Sequence, residues 1–149
     1  MAEPIKSRII ARLLELCQPL KAEGKVREVK RVRTVFLLEP VKPNLHLVIG
    51  PEAVIGGKEG DNRGFTMSFP AWFKIIVADG RDNYTLSDQM AAFIQERIEA
   101  DPQLQELCNI VNYEGDEPFT EKELEPAGGI VVMYEVQYRR YRAGPDRNY

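Results

Sequence analysis

Few residues of this chain could do chemistry, and their spacing narrows what that chemistry could be. The single histidine, His46, stands between Leu45 and Leu47, and in a strand its side chain would point away from both. A surface or hydrogen-bonded histidine is expected there. Cys17 and Cys108 lie far apart, form no Cys-x-x-Cys motif and sit beside Leu16 and Leu107 in helical stretches. Both read as reduced, buried thiols. A nucleophilic pair with His46 would require one of them to be accessible. One histidine and two distant cysteines do not supply metal-ligand spacing. Gly56-Gly57-Lys58 echoes a phosphate loop, but Glu52 stands where the first glycine is needed, and Glu59 stands where Ser or Thr would bind magnesium. A carboxylate there would repel phosphates. No Gly-x-Ser-x-Gly elbow occurs. The expectation is a protein with no catalytic residues, no metal and no cofactor.

What remains is surface charge. Residues 21–33 carry Lys21, Lys25, Arg27, Lys30, Arg31 and Arg33 against Glu23 and Glu28, with valines interleaved. They read as an irregular strand with an exposed basic face. Residues 50–64 read as a surface loop with Lys58, Glu59, Asp61 and Arg63. Residues 114–128 hold Glu114, Asp116, Glu117, Glu121, Glu123 and Glu125, with only Lys122 opposing, and read as an acidic loop. The whole chain carries a net charge of -3, too mild for a dedicated nucleic-acid binder, though a local basic patch remains compatible.

The elements that must hold these residues follow from periodicity. Ile5, Ile9, Leu13 and Leu16 recur at helical spacing, predicting an amphipathic helix over 4–18 that Pro19 and Gly24 end. Leu45 to Ile49 is a short strand. From Phe65 to Ala78, alternate residues are apolar and share one face. Pro70 lacks a ladder donor, so this strand should be an edge, bulged or split. Trp72 falls on its other face, as a partly exposed interface residue or a lid over the first helix. Thr85 and Asp88 have capping-box spacing for a helix whose stripe is Leu86, Met90, Phe93, Ile94 and Ile98. Asp101-Pro102 breaks that helix and starts a short turn through Leu104. Ile110 to Tyr113 is a short strand. In the last strand Val132, Tyr134, Val136 and Tyr138 share one face, and Met133, Glu135, Gln137 and Arg139 the other. The polar tail, Arg142 to Tyr149, should fray.

The expected fold is a single α+β domain over 1–149. It has two layers: an antiparallel or mixed sheet with both main helices on one face. The opening residues lack the apolar core of a signal peptide, and no apolar run approaches 18 residues. A protein neither secreted by that route nor membrane-spanning is expected.

In this order of elements the chain resembles the tail terminator, or tail completion, proteins of tailed bacteriophages and prophages. The likeness spans most of residues 4–142. It rests on the first helix, the aromatic-rich strand, the helix from Ser87 to Ala100, Asp101-Pro102-Gln103-Leu104, and a last apolar strand with Tyr138-Arg139. The resemblance implies a structural protein of the virion tail, made in the bacterial cytoplasm. Such proteins assemble as rings, commonly hexamers, on the end of the tail tube. They stop its polymerisation and offer a surface to the head connector. DNA passes through the lumen without sequence-specific binding.

The implied partners are further copies of the chain, the tail-tube protein and connector proteins. Candidate contact residues are Lys30, Arg31, Arg33, Lys58, Arg63, Trp72, Glu121, Glu123, Glu125, Arg139 and Arg140. The basic 21–33 segment and the acidic 114–125 segment are candidate complementary patches of a head-to-tail contact. A head–tail connector or neck protein, a nucleic-acid module using 21–33 with Arg139, Arg140 and Arg142, and a small enzyme or ligand-binding protein are the competing expectations.

Overall fold

The computed structural model describes residues 3–32, 44–57, 64–77, 83–119 and 128–141. Its frame is two long strands. β4 (Gly64–Val77) and β6 (Gly128–Tyr141) pair antiparallel over their full lengths, from Gly64 against Tyr141 to Val77 against Gly128. Around them stand β1 (Val29–Val32), β2 (Asn44–Ile49), β3 (Ala53–Gly56) and β5 (Ile110–Phe119). The sheet runs β1-β2-β4-β6-β5, with β3 also on β4. Among the described residues only β1 and β2 pair parallel, so this six-stranded sheet is mixed.

Alternation on β4 and β6 decides where the core lies. Phe69, Ala71, Phe73 and Ile75 share one buried face with Val132, Tyr134, Val136 and Tyr138. Phe73 meets Tyr134 edge to face, with centroids 6.1 Å apart at 88°. Both main helices cover this face. The helix α1 (Ile5–Ala22) supplies Ile5, Ile9, Leu13 and Leu20, and α2 (Asn83–Ala100) supplies Met90, Ala91, Ile94 and Ile98. Each such Ile, Leu or Met side chain taken from water contributes about 1.5–3 kcal/mol. The short α3 (Pro102–Leu107) adds Leu104. No helix of the described residues is long and apolar enough to cross a membrane.

Several boundaries differ from the sequence expectation. Helix α1 passes through Pro19 to Ala22, because the Pro19 carbonyl still accepts from the Glu23 amide at 2.9 Å. Gly24 ends it at φ 75°: its N–H reaches the Lys21 carbonyl, and the Lys25 N–H reaches that of Leu20. The basic segment is therefore helix end and turn before the four-residue β1. Helix α2 starts at Asn83, placing Thr85 inside it rather than at its cap.

Residues 50–64 are not all loop, since Ala53–Gly56 pairs with β4. Nor are residues 114–128, since β5 continues to Phe119 past a register shift between Tyr113 and Gly115. The long β6 edge offers backbone partners there, and an edge strand keeps its charged side chains in water.

Pro70 neither splits β4 nor puts it at an edge. Residues 71–76 pair with β2, while 66–68 pair with β3 along the same side. Pro70 sits at the seam between them and uses only its carbonyl, which accepts from Gly50 N–H at 2.9 Å. A Cβ at Gly50 would overlap the Pro70 ring.

Arg12 of α1 clamps the α2–α3 junction. Its Nε and Nη2 donate to Asp101 Oδ2 and Oδ1 at 3.0 and 2.7 Å. Asp101 also caps α3 by accepting from the Leu104 N–H at 3.0 Å, with Pro102 in the first turn. The Arg12 guanidinium holds the Asp101 carboxyl below its usual range, despite burial that opposes this. A depressed folded pKa means the stabilisation is present above the unfolded value, about 3.9, and fades as pH falls through the folded value. Asp101→Ala is expected to cost about 2–4 kcal/mol at neutral pH. In thermal unfolding, its deficit against the wild type should shrink below about pH 4.

Candidate functional site

The chemistry-bearing residues are kept apart. Leu45 and Leu47 enter the core beneath the helices, so His46 between them projects from the opposite face of the sheet. Cys17 and Cys108 both belong to the helix-side core. The sheet therefore lies between the imidazole and either thiol, and no nucleophile–base pair forms. Burial pushes both thiols up to about 12, and the Cys108 thiol donates to the Leu104 carbonyl at 3.0 Å.

His46 is fully buried, with Nε2 3.0 Å from Glu28 Oε1. That bond holds the Glu28 carboxyl below its usual range. An ionised carboxylate can only accept, so Nε2 carries the proton. Glu28 also meets Lys30 Nζ at 3.3 Å. The pair anchors the turn before β1 to β2, and sequence reasoning missed Glu28 because only the fold brings it to His46.

The charged candidates separate into three places. Lys30 and Arg31 are exposed on β1, at one outer edge of the sheet. The acidic residues Glu114, Asp116 and Glu117 are exposed on β5, at the other outer edge. Among the described residues, β1 pairs only with β2 and β5 only with β6. Asp116 is steadied by Gln95 Nε2, 3.0 Å from each carboxylate oxygen. Arg139 and Arg140 lie at the far end of β6, opposite Thr66 and Phe65. Eight residues of β4, about 26 Å, separate Thr66 from Lys74, which shares a row with Lys30. Arg139 is exposed, while the Arg140 guanidinium lies over the Phe65 ring, 5.3 Å from its centroid. Lys30 and Arg31 therefore do not share a stripe with Arg139 and Arg140. Arg33, Lys58, Arg63, Glu121, Glu123 and Glu125 lie outside the described residues.

Trp72 is half-buried on the face away from the helices, in a row with Val48 and Met133. It is no lid over α1. With Ile55, Pro70 and Met133 it lines a shallow hollow of about 430 Å³, bordered by Glu114 and Glu135. Ser68 and Gln137 donate to Glu135 at 2.7 and 3.0 Å and hold that carboxyl below its usual range. Ile55, half exposed beside this hollow, is a surface residue the sequence did not single out.

Tyr138 and Asp101, from the two motifs behind the resemblance, have structural work. Tyr138 donates to Glu52 Oε2 at 2.7 Å, and Lys6 Nζ lies 3.7 Å from the same oxygen. Compared with known proteins, the chain matches no family model, and no curated protein matches it.

The thiol geometry gives a direct expectation. A disulfide-exchange reagent should label neither Cys17 nor Cys108 in the folded protein at neutral pH, and both in denaturant. Rapid labelling of either before unfolding would contradict the placement described.

Proposed function

We propose that this chain is a structural protein that assembles head to tail into a ring on the end of a phage tail tube. In this role it ends tube polymerisation and presents the surface on which the head joins. The observation that carries the proposal is the charge placement on the sheet. Its two outer strands lie at opposite ends of the strand order, one basic through Lys30 and Arg31, the other acidic through Glu114, Asp116 and Glu117. A ring needs a heterologous contact, in which one patch meets a different patch on the next copy. Opposite charge on opposite edges suits that contact and opposes two like edges meeting.

The order of elements supports the same role. The first helix, the long aromatic strand, the second helix, the Asp101-Pro102 cap and the last strand stand in the order on which the resemblance to terminators rests. The Trp72 hollow lies on the sheet face away from both helices, leaving it as the candidate surface for tube or connector proteins. The separation of Lys30 and Arg31 from Arg139 and Arg140 favours this role over nucleic-acid binding, which draws on a continuous basic face.

Reversing the basic edge tests the proposal. Arg31→Glu combined with Arg33→Glu should weaken self-association about ten-fold at low salt, read by sedimentation, with a smaller effect at high salt. The same variant should bind purified tail tubes less well. Association and tube binding both unchanged at low salt would sink the proposal.

A further inference from the structure

We infer that neighbouring copies join as one continuous sheet, with β5 of one subunit antiparallel to β1 of the next. The inference rests on the ring reading above and specifies its contact. Three independent features of the sheet agree on it.

The first is strand direction. β5 runs antiparallel to β6, β6 to β4, and β4 to β2, while β1 runs parallel to β2. Within one sheet β1 and β5 are therefore antiparallel. A second copy set beside the first in the same orientation brings its β1 against β5 in that sense. Antiparallel strands exchange backbone hydrogen bonds without further rearrangement.

The second is level. Following the register across the sheet, Lys30 lies in one row with His46, Lys74, Val131 and Glu117. Arg31 lies in the next row with Leu47, Phe73, Val132 and Asp116. A copy placed alongside at the same level sets Lys30 opposite Glu117 on the face away from the helices. It sets Arg31 opposite Asp116 on the helix-bearing face. An antiparallel pair steps in opposite senses along its two strands, so both matches hold in one register. Opposite charges directly across a strand pair favour it, and each row joins unlike signs.

The third is length. The register shift between Tyr113 and Gly115 interrupts β5 on one side, leaving Gly115 to Phe119 beyond it. The stretch able to accept a strand is short, as is the four-residue β1 (Val29–Val32). A longer bare edge would invite indiscriminate pairing, whereas this one is confined to the charged rows.

Cross-linking tests the register. Residues directly opposite in an antiparallel pair have Cβ atoms about 4.5–5.5 Å apart, close to disulfide reach. The full chain carrying both Lys30→Cys and Glu117→Cys should, on mild oxidation, give a ladder of covalent oligomers on a denaturing gel. Each single variant should give none, because the contact joins two different edges. Arg31→Cys with Asp116→Cys provides a second pair in the adjacent row. Cys17 and Cys108 are buried and should not contribute to the ladder. Thermal unfolding of each variant checks that it folds.

Assembly by mass with no cross-link in either double variant would overturn this contact while leaving the ring reading standing. Cross-linked dimers from a single variant would overturn it as well, because they require like edges to meet. A double variant that stays monomeric, alongside wild type that neither assembles nor binds tail tubes, would remove the ring reading and this inference together.

Discussion

The pairing of β4 with β6 is the constraint on which the rest of the structure depends. Fourteen consecutive residues of each strand face one another without a register break. The pleat then sends every second side chain to one face, and that face is the core. The close fit leaves little tolerance. A Cβ at Gly129 would run into the Ile75 carbonyl across the ladder, and one at Gly50 would meet the Pro70 ring at the seam between β2 and β3. Both helices, the Arg12–Asp101 clamp and the short α3 are arranged on the surface this ladder creates. The edges β1 and β5 are what remains on either side.

The sequence disclosed the parts of the fold that obey local periodicity. Alternation over Phe65 to Ile75 and over Val132 to Tyr138 places the core residues on the correct faces, and helical spacing places Ile5, Ile9 and Leu13. It misled where a local rule met an unseen partner. Proline's missing donor predicts an edge, a bulge or a split at Pro70, but β4 changes partners at that residue and keeps its register with β6, so neither ladder is interrupted. The acidic stretch 114–128 reads as loop because Pro118, Pro126 and Gly128-Gly129 punctuate it, yet Glu114 to Glu117 lie in β5. They are strand because β6 has an open side for them and the carboxylates stay in water. Alternation puts Trp72 on the face away from the helices, where it does lie, and from that face it cannot cover α1.

The candidate site was legible only in part. Charge runs at Lys30–Arg31 and at Glu114–Glu117 stand out in the chain, but nothing local shows that β1 and β5 end up at opposite sides of one sheet, at the same level. That juxtaposition comes from the parallel β1–β2 pair and the strand order, which are non-local. The motifs behind the resemblance turn out to be largely architecture. Asp101 is a helix cap and ion-pair partner, and Tyr138 is a core aromatic tied to Glu52. The recognisable order of elements therefore describes how the domain is built. The role proposed for it rests on the surfaces that this construction leaves outward.

The most direct measurement is the solution mass of the wild-type protein by light scattering across protein and salt concentration, with negative-stain imaging of the same samples. The proposed assembly predicts a discrete closed ring of several subunits, favoured by low salt because oppositely charged edges meet. A protein that stays monomeric throughout and does not bind purified tail tubes would contradict it.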